Sequence, residues 1–310
     1  MAIDGNTITL DIVLPQSIAE EHGGGFVRKV EPKAVDTQCG VESLRVVSNF
    51  DTTVRDRGKS SDFRNLRNGI AIDCTNGWVR ACTVKHVWYA AVDMNGQFCT
   101  VRETRSLEPV GPKRGGRRYT FNIGGDAMGN LVYGCFAEDG RHDYVIGARV
   151  RGPNAFVRST ALRGGQSEPH HRWGVGTLYD NIRMKDGGSL AAINRGDSGS
   201  GHGWAGANTV FWNCAADAIV VFDPETTGEN NFAIGYTGPQ KSDHNTGAVK
   251  YANTRSGYWR TPKEGVYYGY AIMGNGYIES PGQPVKPDSL FEQQLIDRIG
   301  KAKALAVLDE

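Results

Sequence analysis

Four short segments concentrate the cationic and aromatic side chains that could do chemistry. They are Arg117-Arg118-Tyr119, Arg141-His142-Asp143-Tyr144, His170-His171-Arg172-Trp173 and the glycine-rich run from Asn194-Arg195 to His202-Gly203-Trp204. Measured from Arg118, cationic groups fall at 118, 142, 171 and 195, in steps of 24, 29 and 24 residues. If each step is one coil of a solenoid, these groups stack as a strip of Arg118, Arg141, His142, His171, Arg172 and Arg195, flanked by Tyr119, Trp173 and Trp204. Such a strip suits an anionic sugar chain. Arginine pairs with carboxylate or sulfate through two parallel hydrogen bonds, and aromatic faces stack on pyranose rings. Cleaving a uronate polymer by β-elimination requires a neutraliser for the carboxylate, a base for the α-proton and an acid for the departing oxygen. His142 or His171 fits the base, Tyr119 the acid, and Arg118, Arg172 or Arg195 the neutraliser. Arg141, Asp143, Trp173, His202 and Trp204 are then substrate contacts.

Other chemistries leave weaker marks. A glycoside hydrolase or a fructan-type transglycosylase needs paired carboxylates, for which Asp143, Asp180 and Asp197 are the candidates. Gly196-Asp197-Ser198-Gly199 is the loop sequence around a chymotrypsin-like nucleophile, here Ser198, and Thr83-Val84-Lys85-His86 faintly matches the histidine loop. No Asp lies at a convincing position between them, so the protease reading is set aside. The six cysteines form no CxxC pair and no metal-ligand spacing, and read as buried free thiols. No metal ligands are assigned. Ca²⁺ stays open as a cofactor, although no carboxylate cluster is dense enough to place it.

Positioning such a strip takes a repeating element, and the sequence contains one. Short strand-like runs recur, each followed by a small or polar residue. Aligned, they bring Leu44, Cys82, Thr104, Cys135, Ser159, Asn181, Cys214 and Tyr236 to one position, at intervals of 38, 22, 31, 24, 22, 33 and 22. A period near 22 without helical patterning, and without leucine-rich-repeat signatures, predicts stacked coils that bury a shared core, with loops inserted where the interval lengthens. The expected fold is all-β, a right-handed parallel β-helix. Near the end, Pro287-Asp288-Ser289-Leu290-Phe291-Glu292 carries a helix start with a capping box, and Phe291, Leu295, Ile299, Ala302 and Ala306 follow at helical spacing. A C-terminal helix is therefore expected to cap the stack. Coils are expected over 1–257, then an irregular return segment and the helix over 258–310, all in one domain.

Composition narrows the classes further. With 35 basic and 34 acidic residues the net charge is +1, which supports neither nucleic acid nor a polybasic membrane surface as partner. No apolar run is long enough to span a bilayer. The first 25 residues lack the pattern of a signal peptide and read as a turn running into a strand, as in a chain that has lost a leader or is part of a longer one. An uncapped first coil would expose strand edges, which leaves room for a homo-oligomer.

Several blocks resemble a family of bacterial right-handed β-helix proteins of the pectate-lyase-like, polysaccharide-degrading group. They are Arg117-Arg118-Tyr119-Thr120-Phe121-Asn122, Gly140-Arg141-His142-Asp143-Tyr144-Val145, Gly152-Pro153-Asn154-Ala155-Phe156-Val157, His170-His171-Arg172-Trp173, Ser200-Gly201-His202-Gly203-Trp204 and Pro287-Asp288-Ser289-Leu290-Phe291. The resemblance covers about residues 40–300 and implies an extracellular or periplasmic protein acting on a polysaccharide. It assigns no catalytic residue. A polysaccharide lyase is the first expectation, a hydrolase or transglycosylase the second, and a non-catalytic glycan-binding β-helix the third.

Overall fold

The computed structural model describes residues 2–28, 35–196, 198–224, 227–237 and 274–309. Three stacks of parallel strands run through it. The first sheet joins Asn68–Ile72, Ala90–Met94, Tyr119–Ile123, His142–Ile146, Gln166–Pro169, Ser189–Ala192 and Ala218–Asp223, with Gly274–Asn275 added antiparallel at one edge. The second sheet has nine strands, from Gly40–Glu42 to Tyr277–Glu279, and the third has six, from Arg45–Val47 to Arg183–Lys185. Successive coils contribute one strand to each sheet, which makes the molecule a parallel β-helix.

The corner between the second and third sheets explains the repeat. At each coil one residue takes the left-handed conformation: Ala81, Glu103, Gly134, Arg158, Asn181, Asn213 and Gly235 have φ between 46° and 69°. That single residue turns the chain sharply, and the next side chain points into the core. This inward column is Cys82, Thr104, Cys135, Ser159, Ile182, Cys214 and Tyr236, each no more than 2 % exposed. The small members reach back to the carbonyl two residues earlier: Thr104 Oγ1 to Arg102 O at 3.0 Å, Ser159 Oγ to Val157 O at 2.9 Å, Cys82 Sγ to Arg80 O at 3.3 Å. A hydroxyl or thiol is therefore suited to this position, since it covers a backbone acceptor at the bend while filling little volume. Asn181, expected in this column, is displaced by one place. Arg183 pairs with Thr160, so Ile182 occupies the column and Asn181 takes the left-handed corner, which asparagine tolerates well.

The core is a ladder of like on like. Val79, Val101, Val132, Phe156, Tyr179 and Phe211 stand in register on the second sheet. Ring centroids of Phe156, Tyr179 and Phe211 are spaced at 5.1 and 5.0 Å, and Tyr144 and Phe121 of the first sheet continue the stack at 5.7 Å. Each buried ring contributes about 1.5–3 kcal/mol, and pairs of this geometry add about 1 kcal/mol more. Cys74, Cys82, Cys99, Cys135 and Cys214 are buried free thiols, while Cys39 is exposed. Burial pushes the Cys135 and Cys214 thiols up to about 12, which makes them inert.

The C-terminal helix is present as a pair, Leu290–Ile299 and Lys301–Asp309. Ser289 caps the first, its Oγ accepting from Glu292 N at 3.1 Å. Asp180 holds the same start, accepting from Ser289 Oγ and Phe291 N at 2.8 Å each. Glu292 accepts from Tyr133 and Arg158, and Arg102 donates to Leu308 O at 2.9 Å. These contacts lay the pair along the flank of the second sheet, back toward the earlier coils, and not across the last coil as a cap. The 257/258 boundary and most of the expected return segment fall outside the described residues. Among the described residues no helix is long and apolar enough to cross a membrane.

Candidate functional site

The outer face of the first sheet carries a buried polar cluster. Gln166–Pro169 is an extended strand, so Glu168 and His170, two residues apart, project from the same side. Pairing of Val145 with Glu168 and of Ile146 with Pro169 brings this strand beside His142–Ile146, and Tyr119 pairs with His142 one coil earlier. Side chains from three successive coils thereby converge. Glu168 is fully buried, and His142, His170 and Arg195 are 3, 2 and 6 % exposed.

Their contacts form a chain. Arg195 Nη1 donates to Glu168 Oε1 and lies 2.7 Å from His170 Nδ1. Glu168 Oε1 is 2.7 Å from His170 Nδ1, and His142 Nδ1 is 2.8 Å from the Gln166 carbonyl. On the far edge of the His170 ring, Nε2 is 2.8 Å from the hydroxyl of Tyr119. Arg141 Nη1 donates to that hydroxyl at 3.2 Å and to Gly115 O at 2.7 Å. The rings of His170, His171 and His202 are mutually 5.0–5.2 Å apart. Burial, with His170, Arg141 and Arg195 nearby, holds His142 well below the usual imidazole range. Burial and then Arg141, His171 and His202 lower His170 to about 2. His171 is lowered by burial and by Arg172. All three are neutral imidazoles at neutral pH.

Beside this cluster opens a cavity of about 640 Å³ lined by Arg149, Arg151, Arg172, Trp173, His202 and Trp204, among others. Arg172 donates to the Ser200 and Gly201 carbonyls and so props the glycine-rich loop. Trp173 Nε1 donates to Gln16 Oε1 at 2.8 Å, which places the N-terminal segment at the cavity wall. Trp204 packs on the small apolar cluster of Ala191, Ile193, Val220 and Phe222.

Of the residues singled out in the sequence, the structure brings Tyr119, Arg141, His142, His171, Arg195 and His202 into this cluster, and places Arg172, Trp173 and Trp204 at the cavity. Two go elsewhere. Arg118 is 2 % exposed and locked behind the sheet, paired with Asp139 Oδ2 at 2.7 Å and bonded to the Gly111 carbonyl. Its Cα pairs one place before His142, so the 24-residue step from 118 to 142 was off register by one. Asp143 points into the coil interior, accepting from Thr120 Oγ1 at 3.1 Å. Asp180 is spent on the terminal helix. Asp197 and the side chain of Ser198 lie outside the described residues.

Glu168 and His170 were not anticipated. The signal was available: Ser167-Glu168-Pro169-His170 alternates on a strand, so a carboxylate and an imidazole two apart share a face. Comparison with known protein families, with curated proteins and with solved structures gives no match to this chain.

Proposed function

We propose that the protein is a polysaccharide lyase that cleaves an acidic polysaccharide by β-elimination, at the mouth of the cavity beside Tyr119. One observation carries the reading: the Tyr119 phenol is held between His170 Nε2 and the Arg141 guanidinium, and the His170 ring stands 5.0 Å from His202, which lines the arginine- and tryptophan-rich cavity. Arginines at 141, 149 and 172 suit the uronate carboxylate and would stabilise the charge that develops on it when the α-proton leaves. His171, half-buried and neutral, takes that proton. The C–H pair forms the new double bond, the glycosidic C–O bond breaks, and Tyr119 protonates the departing oxygen. The cycle closes when His171 gives the α-proton up to solvent and the Tyr119 phenolate, stabilised meanwhile by the Arg141 guanidinium, takes a proton back from solvent. His142, almost fully buried behind Tyr119, supports the rings and does not touch substrate in this scheme.

The carboxylates weigh against hydrolysis. A hydrolase needs two that flank the scissile bond, with room for a water in the inverting case. Asp143 faces the core, Asp180 caps a helix, and Glu168 is committed to Arg195 and His170.

The test is incubation with polygalacturonate, alginate and glycosaminoglycans while following the ultraviolet absorbance of unsaturated uronate. The wild type is expected to generate it on at least one polymer, and Tyr119→Phe to fail on that polymer while still binding it. Reducing ends without the absorbance would point to hydrolysis, and binding with neither to a glycan-binding module.

A further inference from the structure

We infer that His142, Glu168 and His170 form a divalent-metal ligand set in which the guanidinium of Arg195 occupies the ion's place, so that removing this side chain opens a zinc-type site. The inference is independent of the lyase reading.

One ligand atom from each of the three residues lies within 4.8 Å of the others, and all three residues are buried. The donor types, two imidazoles and a carboxylate, are those that bind zinc with an open fourth position. His170 is also oriented as a metal ligand is, through its other nitrogen, with Nε2 held by Tyr119. His142 Nδ1 lies 3.3 Å from Glu168 Oε1 and 2.8 Å from the Gln166 carbonyl. His142 Nε2 and Glu168 Oε2 are buried and have no hydrogen-bond partner among the described residues. Leaving such acceptors bare costs about 1–3 kcal/mol each, which is hard to explain in a purely structural cluster. What fills the middle is Arg195, whose Nη1 contacts Glu168 Oε1 and His170 Nδ1 together.

A guanidinium is permanently charged and donates from a fixed fork. It balances Glu168 and fixes the donor pattern around His170 as a metal would, but it cannot be chelated away. It also repels a dication from the same ligands.

The 310-residue chain, as Arg195→Ala and as Arg195→Met, would be titrated with cobalt(II) chloride and followed by its visible d–d absorption. Both variants are expected to take up one ion per chain, at least about 10-fold more tightly than the wild type. Adding Glu168→Gln should abolish that uptake. If either variant is unstable without metal, zinc during refolding is expected to recover it and to raise its melting temperature, with no effect on the wild type. Three results would overturn the inference: no uptake by either variant, wild-type binding as tight as theirs, or uptake that survives Glu168→Gln. Failure of both variants to fold with zinc present would overturn it as well.

Discussion

Two side chains two coils apart divide the proposed chemistry, and they can be separated experimentally. With His171 as base and Tyr119 as acid, Tyr119→Phe should still exchange the substrate's α-proton with deuterated solvent while cleaving about 10²–10⁴-fold more slowly. His171→Ala should lose exchange and cleavage together. Mass spectrometry of recovered polymer reads the first and product absorbance the second. Equal exchange in both variants would reassign the base. A third residue matters for stability. Asp143 is fully buried, and burial raises its carboxyl from the ordinary 3.8 to about 6. Its Oδ2 has no partner among the described residues. A carboxyl raised on folding is harmless below its unfolded pKa. Stability is lost as pH rises from about 4 to about 6, and the deficit then stays constant at about 3 kcal/mol. Asp143→Asn should therefore be more stable than wild type at pH 7 and indistinguishable near pH 3 in urea melts run at both values.

The elements that carry these residues are held by the coil corners, and there the fold was legible. Cys82, Thr104, Cys135, Ser159 and Cys214 stand in the expected column because a small side chain that can reach back to the backbone suits the bend, and Tyr236 follows in the same register. The slip at Asn181 has the same source: asparagine suits the corner itself, so composition alone cannot separate corner from column at a single coil. The site was less legible. Its strip was laid out by counting coil lengths, and a one-residue error sends a side chain behind the sheet, as happened to Arg118. Glu168 escaped because an isolated carboxylate carries no pattern of its own; only the neighbouring coils make it the centre of a cluster. The corners also yield a prediction. Ala81 holds φ of 53° on an exposed position, a conformation that costs alanine about 1 kcal/mol and glycine almost nothing. Ala81→Gly should leave stability unchanged or raise it by up to about 1 kcal/mol in urea melts, whereas glycine within a strand, as in Val101→Gly, should cost several kcal/mol.

At the scale of the whole molecule, the helix pair and the site use different sides of the same stack. The pair lies on the second sheet, through Tyr133, Arg158 and Asp180, while the cluster sits on the outer face of the first. A chain ending at Lys286 is therefore expected to melt at lower temperature, having lost the cover of the second sheet. It should nevertheless bind acidic glycan at 25 °C as tightly as the full chain, by calorimetry on both. The aromatic ladder through Phe121, Tyr144, Phe156, Tyr179 and Phe211 connects the two sides and makes them one cooperative unit, so unfolding should follow a single transition by fluorescence and circular dichroism. The central claim, elimination rather than hydrolysis, is most directly tested by digesting the susceptible polymer in heavy-oxygen water and weighing the new chain ends. Elimination predicts fragments that carry no solvent oxygen, each new non-reducing end lighter by one water than a hydrolytic end. Fragments that incorporate heavy oxygen at the cleaved bond would contradict the account.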